Sequence, residues 1–153
     1  MNGGRRGRVV VADGDDEVRR LLRVKLGAAG FEVVEAASAA EVRAAVRPGL
    51  PDVLLCEARL ADGDAADLFA ELRSAPGGGR PVLVVLDGLE TDAAIDAALA
   101  AGADDLVAKP FSPSEVILRL RIGLARRALE AAAAPGAPAA GTEVEAAPCG
   151  GGG

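Results

Sequence analysis

The chain has 153 residues, of which 50% are hydrophobic, and its 17 basic and 23 acidic side chains give a net charge of −6. This size fits one globular domain with a single core and leaves no room for a second. The acidic balance disfavours non-specific attraction to nucleic acid or anionic lipid, and the complete absence of histidine excludes a Ser-His-Asp triad, a phosphorylated histidine in this chain and most zinc sites.

The sequence contains no apolar run near the roughly 20 residues needed to span a bilayer. The arginines near its start lead directly into a short strand pattern, which is not the pattern of a secretory signal. Cys56 and Cys149 form neither a metal-ligand spacing nor a disulfide framework, and Cys56 is expected to be a small core residue. We therefore expect a cytoplasmic protein with no membrane and no nucleic acid as direct partners.

Five short apolar runs alternate with helical patterns along the chain, which predicts parallel strands joined by crossover helices. The third run is apolar without alternation, as is typical of a strand covered by helices on both faces. The predicted fold class is α/β, a (βα)5 doubly wound parallel sheet. The five strands are predicted at Arg8–Ala12, Glu32–Ala36, Val53–Glu57, Val82–Leu86 and Asp105–Ala108.

Apolar residues at helical spacing predict one helix after each strand. The first helix is expected to stop at Gly30. Ser38 with Glu41, and Ser112 with Glu115, have the spacing of capping boxes at the starts of the second and fifth helices. These signals give each strand a helix that returns the chain to the opposite edge of the sheet.

The composition changes near the end of the chain. Residues 131–153 are rich in alanine, proline and glycine, and such a segment cannot bury enough apolar surface to order itself. We expect an N-terminal extension at residues 1–6, one folded domain at 7–130 and a disordered tail or linker at 131–153. The glycine run 77–79 is expected to be a flexible loop.

The side chains that follow the predicted strands carry the chemical signals. In doubly wound sheets the carboxyl ends of the strands face a common crevice. Asp13, Glu57, Leu86 and Lys109 all stand at such ends, so we expect them to converge there.

Three segments together resemble the receiver domain of two-component response regulators: the acidic turn 12–16, the strand 51–57 that delivers Glu57, and the segment 102–111 with its Lys-Pro-Phe. The resemblance covers residues 7–130. It implies the flavodoxin-like strand order 2-1-3-4-5 and a signalling module that accepts a phosphoryl group from a histidine kinase and is not itself an enzyme.

The resemblance also implies a magnesium site, and this chain departs from it. The family places its acceptor aspartate where Glu57 stands, and a second acid where Gly14 stands. The ligands that remain are Asp13, Glu57 and the backbone carbonyl of Arg59. Because magnesium demands octahedral oxygen ligation, we expect weak binding at best. Asp15 and Asp16 either reach into the site or cap the first helix.

Two further positions lack the groups that the family uses as a switch. Leu86 stands where the family has a hydroxyl residue, and Leu106 where it has an aromatic one. Aliphatic side chains have no donor that senses a phosphate. Glu57 is one methylene longer than aspartate, and a misplacement near 1 Å can cost phosphoryl transfer on the order of a hundredfold. We expect its carboxylate to rest against Lys109 as a built-in mimic of the active state.

The leading hypothesis is therefore a pseudo-receiver that acts by protein contact. One alternative is that a histidine kinase still phosphorylates Glu57 or a nearby acid, with Asp13 and Asp15 holding magnesium. Another is that Glu57 is a solvated charge with no role. A nucleotide or flavin binder is disfavoured by the acidic turn, since phosphates prefer backbone amides without nearby carboxylates.

The resemblance further implies a homodimer. In the transcription-factor branch of the family, basic residues of the last helix pair with acids of the last strand across a two-fold interface. The matching residues here are Arg119 and Arg121 on one side and Asp104 and Asp105 on the other. The expected interface is the fourth helix, fifth strand and fifth helix.

Overall fold

The structure is a computed structural model that describes residues 7–76, 80–88 and 92–133. The predicted extension at 1–6, the glycine run 77–79 and the tail from 134 onward lie outside the described residues. The strands are β1 (Gly7–Ala12), β2 (Phe31–Ala36), β3 (Val53–Glu57), β4 (Arg59–Leu60), β5 (Gly63–Asp64), β6 (Val82–Asp87) and β7 (Asp105–Ala108). The helices are α1 (Asp16–Ala28), α2 (Ala39–Val46), α3 (Ala65–Ser74), α4 (Asp92–Ala100) and α5 (Pro113–Ala133).

Five of the strands form one parallel sheet in the order β2-β1-β3-β6-β7. This is the predicted flavodoxin-like order, with β6 and β7 as the fourth and fifth strands of the sheet. Every predicted strand is present, and its ends lie within one residue of the prediction. The order reverses beside β1, so a crevice opens at the carboxyl ends of β1 and β3.

Both faces of the sheet are buried, which explains why the central strands are apolar without alternation. Successive side chains of a strand point to opposite faces and enter two separate cores. One core lies under α2, α3 and α4, and its large members include Val10, Leu54, Leu83, Leu68 and Phe69. The other lies under α1 and α5, and its large members include Val9, Leu55, Val84, Leu22 and Leu120.

The helix starts follow the predicted capping chemistry. Glu41 donates its backbone N–H to the Ser38 hydroxyl at 3.1 Å, and Glu115 donates to the Ser112 hydroxyl at the same distance. α5 continues to Ala133, three residues into the segment predicted as a tail or linker. Alanine has the highest helix propensity, and a run of it extends a helix without packing. Within the described ranges, no helix combines the length and apolarity needed to cross a bilayer.

A short antiparallel hairpin, β4 with β5, follows β3 and was not predicted. Asp62 lies in its turn and accepts hydrogen bonds from the backbone N–H groups of Ala39, at 2.7 Å, and Ala40, at 3.0 Å. These two N–H groups belong to the first turn of α2, which has no intrahelical acceptor for them. The bonds hold the pKa of Asp62 below its ordinary value.

Close packing of α5 on the sheet depends on Gly123. A Cβ at this position would lie 2.7 Å from the Val82 Cγ1 atom in β6. We expect Gly123→Ala to lower the free energy of unfolding by about 1–3 kcal/mol, as overpacking does. The chain has no tryptophan or tyrosine, so urea unfolding is followed by circular dichroism.

The matched control for Gly123→Ala is Gly27→Ala in α1, where nothing lies within 4 Å of an added Cβ. Alanine is favoured over glycine in helices by about 0.5–1 kcal/mol, so this control is expected to be neutral or stabilising. Equal effects of the two substitutions would show that the approach of α5 to Val82 is not tight.

The bridge from Asp62 to α2 predicts a pH dependence of stability. Because folding lowers the pKa of Asp62, its contribution is complete above the unfolded pKa of about 3.9 and is lost as the pH falls through the lower folded value. Asp62→Asn is expected to lower the urea midpoint at pH 7, with the difference from wild type closing below about pH 4. Asp96→Asn, an exposed change on α4, is the control. A pH-independent difference for Asp62→Asn would contradict the charged bridge.

Candidate functional site

Three strand ends bring their side chains together at the carboxyl edge of the sheet. Asp13 follows β1, Glu57 ends β3 and Lys109 follows β7. The Lys109 Nζ atom lies 2.5 Å from Asp13 Oδ2 and 3.5 Å from Glu57 Oε2. Leu86 stands opposite Glu57 in the β3–β6 ladder. Asp13, Glu57 and Lys109 therefore converge as predicted, whereas the Leu86 side chain enters the core under α1 and α5 and the next residue, Asp87, lines the cleft.

Asp13 is completely buried. Its Oδ1 atom accepts the Asp15 backbone N–H at 2.8 Å, and its Oδ2 atom accepts from Lys109. A buried carboxylate is costly unless a partner of opposite charge neutralises it, and Lys109 is that partner. Burial opposes the charge on Lys109, but the hydrogen bond and charge of Asp13, with added attraction from Glu57, raise the pKa of Lys109 above its ordinary value.

The Glu57 carboxylate spans the gap between β1 and β7. Its Oε1 atom accepts the Gly14 backbone N–H at 3.1 Å, and its Oε2 atom accepts from Lys109 at 3.5 Å. The expected contact of Glu57 with the Lys109 ammonium is present at 3.5 Å, and the shorter contact of Lys109, at 2.5 Å, is with Asp13. The additional methylene of glutamate carries the carboxylate to the turn after β1, where a backbone donor holds it.

The two other acids of the turn face away from the site. The Asp15 carboxylate accepts the Glu17 backbone N–H at 2.8 Å and caps α1. Asp16 is paired with Arg19, whose Nη1 atom also donates to the Asp13 backbone carbonyl at 2.6 Å. The capping alternative is therefore confirmed for Asp15, and neither acid reaches in. Arg19 was missed, although its i,i+3 spacing from Asp16 was a local signal.

The residues present do not fit the magnesium site that the family implies. Within the described part of the chain, no three side chains of histidine, cysteine, aspartate or glutamate are grouped to hold a metal ion. Asp87 lines the same cleft as Glu57 but, among the described residues, does not complete a metal-holding group with it and Asp13. Asp13 and Glu57 offer the other carboxylates, and each of their oxygens already accepts a hydrogen bond. With the Arg59 carbonyl they form the predicted ligand set, which is short of the oxygen shell that magnesium requires.

Position 14 has room for the missing acid. A Cβ built on Gly14 would lie 3.7 Å from Glu57 Oε1, an ordinary van der Waals contact. The backbone of the turn therefore leaves space for a side chain at position 14. The site departs from the pattern expected for the family in its side chains and not in its backbone.

The two switch positions are apolar and packed. Leu86 is completely buried in the core under α1 and α5 and pairs with Val107 of β7. Leu106 is half-buried and packs against the opposite core. Backbone bonds tie the strand ends together, from Ala58 N–H to the Leu86 carbonyl at 3.1 Å and from Lys109 N–H to the Asp87 carbonyl at 2.7 Å. Neither leucine supplies a group that hydrogen-bonds a phosphate.

An open cleft of about 470 Å³ lies over the site. The charged residues Glu57, Asp87 and Lys109 line it, together with Arg59 and the short residues Ala58, Gly88 and Ala94. Access to Glu57 is therefore not what limits chemistry at this position. The carboxylate already accepts hydrogen bonds from Gly14 and Lys109.

Cys56 precedes Glu57 and is completely buried, which confirms its prediction as a core residue. Burial raises the pKa of the Cys56 thiol, and the charges of Glu57 and Asp13 raise it further. The thiol stays protonated and donates to the Glu57 carbonyl at 3.3 Å. A protonated, buried thiol is neither a nucleophile nor a metal ligand.

The residues predicted for a dimer interface make contacts within one chain. Asp104 accepts the Leu83 backbone N–H at 2.8 Å and an Arg73 N–H at 3.0 Å. Asp105 accepts from Arg119 at 3.3 Å. Asp104 is thus already engaged by its own chain, whereas Arg121 is exposed to solvent.

Comparison with known proteins identifies the domain family to which this fold and site belong. The model of the response regulator receiver domain matches residues 9–121. The chain is 37% identical over 120 residues to the probable transcriptional regulatory protein TcrX of Mycobacterium tuberculosis, covering 77% of this chain and 50% of that protein. It is 35% identical over 129 residues to the KDP operon transcriptional regulatory protein KdpE of Escherichia coli, covering 83% of this chain and 55% of that protein.

A putative response regulator from Chloroflexus aurantiacus has a similar solved structure, with a TM-score of 0.72 and 34% identity over 78% of this chain and 98% of that one. The chain spans about half the length of the curated relatives it matches. The parallel sheet order, the Asp13 and Lys109 pair at its carboxyl edge and these matches together show that the chain belongs to the response regulator receiver domain family of two-component signalling.

Proposed function

We propose that this receiver domain transmits its signal by protein contact and without a cycle of phosphorylation, as a signalling module rather than an enzyme. The observation that carries the proposal is the hydrogen bonding of the Glu57 carboxylate. Both of its oxygens accept hydrogen bonds, one from Gly14 and one from Lys109. A phosphoacceptor needs an oxygen that is free and aligned with the phosphoryl group, because positioning and charge neutralisation supply nearly all of the catalysis.

The surroundings of Glu57 support the same proposal. The charge that develops in phosphoryl transfer is usually neutralised by a divalent ion, and the donor set here does not fit one. Leu86 and Leu106 lack the groups that respond to a bound phosphate. A phosphoryl group on Glu57 would therefore be slow to form and would have no switch to act upon.

Intact mass spectrometry after incubation with acetyl phosphate and magnesium tests the proposal. Wild type is expected to gain no phosphoryl adduct, because the Glu57 carboxylate is displaced and already bonded. The double variant Gly14→Asp with Glu57→Asp restores both family acids and is expected to gain one. Glu57→Gln is the matched control for a neutral side chain at the site. A hydroxylamine-labile adduct on wild type that Glu57→Gln lacks would overturn the proposal and favour the phosphorylated alternative.

The contact face that we propose consists of α4, β7 and α5, with a second copy of the chain or another signalling protein, such as a histidine kinase, as partner. Leu99 on α4 is 48% exposed, and Leu118 and Ile122 on α5 are 55% and 43% exposed. Exposed apolar side chains that lie beside charged ones are typical of protein interfaces. Asp105 and Arg119 lie on the same face and pair within the chain.

Size-exclusion chromatography tests the homodimer. Wild type is expected to elute as a dimer at micromolar concentration, and Arg119→Glu as a monomer, because the reversed charge faces Asp105 and Glu115. Arg20→Glu makes the same charge change on α1, away from this face, and is expected to elute like wild type. Equal elution volumes for wild type and Arg119→Glu would count against the dimer.

A further inference from the structure

We infer that the Lys109 ammonium takes the place of the divalent cation in this receiver. The negative charge of the site is then neutralised by a group of the chain itself, and the site does not bind magnesium. The inference goes beyond the proposed function, because it concerns the site without any phosphodonor. It rests on the contacts of three charged groups and of the turn after β1.

Lys109 neutralises the carboxylates of two strands at once. Its ammonium lies 2.5 Å from Asp13 and 3.5 Å from Glu57. These two carboxylates and one ammonium carry a single net negative charge, which attracts a divalent ion weakly because the ion must give up water to bind. In the family pattern the additional acid at position 14 would double that charge. Asp87 lines the same cleft but, among the described residues, does not complete a metal-holding group with Asp13 and Glu57.

The turn after β1 supplies the remaining contacts that a metal ion would have to displace. Backbone N–H groups of Gly14 and Asp15 donate to Glu57 and Asp13, respectively. Arg19 pairs with Asp16 and donates to the Asp13 carbonyl, which holds the turn in this arrangement. Magnesium ligation would therefore break existing bonds and gain only two carboxylates.

The acids that could replace the missing one are committed elsewhere. Asp15 caps α1 through the Glu17 N–H, and Asp16 faces Arg19 in solvent. Releasing Asp15 would leave a first-turn N–H of α1 without its acceptor, which destabilises the start of the helix. The exclusion of magnesium is thus a property of the whole turn and of Lys109 together.

The experiment is thermal unfolding by circular dichroism with and without magnesium chloride, at ionic strength matched with sodium chloride. Wild type is expected to show the same midpoint within about 1 °C at about 10 mM magnesium, because no site is filled. Gly14→Asp with Glu57→Asp is expected to gain about 5 °C. Gly14→Asn with Glu57→Asp has the same size without the added charge and is the matched control, expected to respond like wild type.

Lys109→Met tests the role of the ammonium. This variant leaves two carboxylates without a counter-ion, so it is expected to unfold at a lower temperature than wild type and to recover about 5 °C when magnesium is added. If it is too unstable to study, Lys109→Gln serves in the same assay, since its amide donates a hydrogen bond but carries no charge.

The outcomes separate cleanly. A magnesium-dependent rise in wild type comparable to that of the double variant Gly14→Asp with Glu57→Asp would overturn the inference, whatever the result with acetyl phosphate. Failure of both lysine variants to respond to magnesium would also overturn it, because removal of the ammonium would then not have allowed magnesium to bind in its place. A response of the lysine variants with none in wild type would support it. A phosphoryl adduct on wild type that forms in the absence of magnesium would overturn only the proposed function.

Discussion

Lys109 supplies the positive charge on which the carboxyl edge of the sheet depends. Asp13 is completely buried, and the ammonium at 2.5 Å is what makes a charged group tolerable there. The same ammonium reaches Glu57 and so joins β7 to β1 and β3. Lys109 thus fixes the two carboxylates from one side, while backbone N–H groups of the turn after β1 hold them from the other.

The receiver fold of this chain does not depend on the positions at which its sequence departs from the pattern expected for the family. Four positions differ from the family pattern: Gly14, Glu57, Leu86 and Leu106. The strand ends are held by backbone bonds and by two buried cores, and none of these requires a hydroxyl, an aromatic or a second acid at those positions. The fold can therefore match a solved response regulator whatever stands at these four positions, and fold alone does not establish an activity.

The sequence predicted the features that depend on local pattern and left out those that depend on single distant contacts. All five strands of the sheet and both capping serines follow from periodicity and short spacing. The hairpin after β3 was missed, because Asp62 finds its partners at Ala39 and Ala40, far away in the chain. The convergence at Lys109 was predicted from topology, but the reach of Glu57 to Gly14 was not. The contact of Glu57 with Gly14 depends on one methylene and one backbone donor, and neither changes the hydrophobic pattern of the sequence.

The bridge between Asp62 and α2 has a mechanical consequence. The hairpin that holds Asp62 begins two residues after Glu57, and the Asp62 carboxylate is bonded to the first turn of α2. The hairpin and the helix are therefore coupled, so that a displacement of one is transmitted to the other. A protein that docks against the start of α2 and shifts it would pull on the segment beside Glu57, and the reverse holds for a change at the cleft.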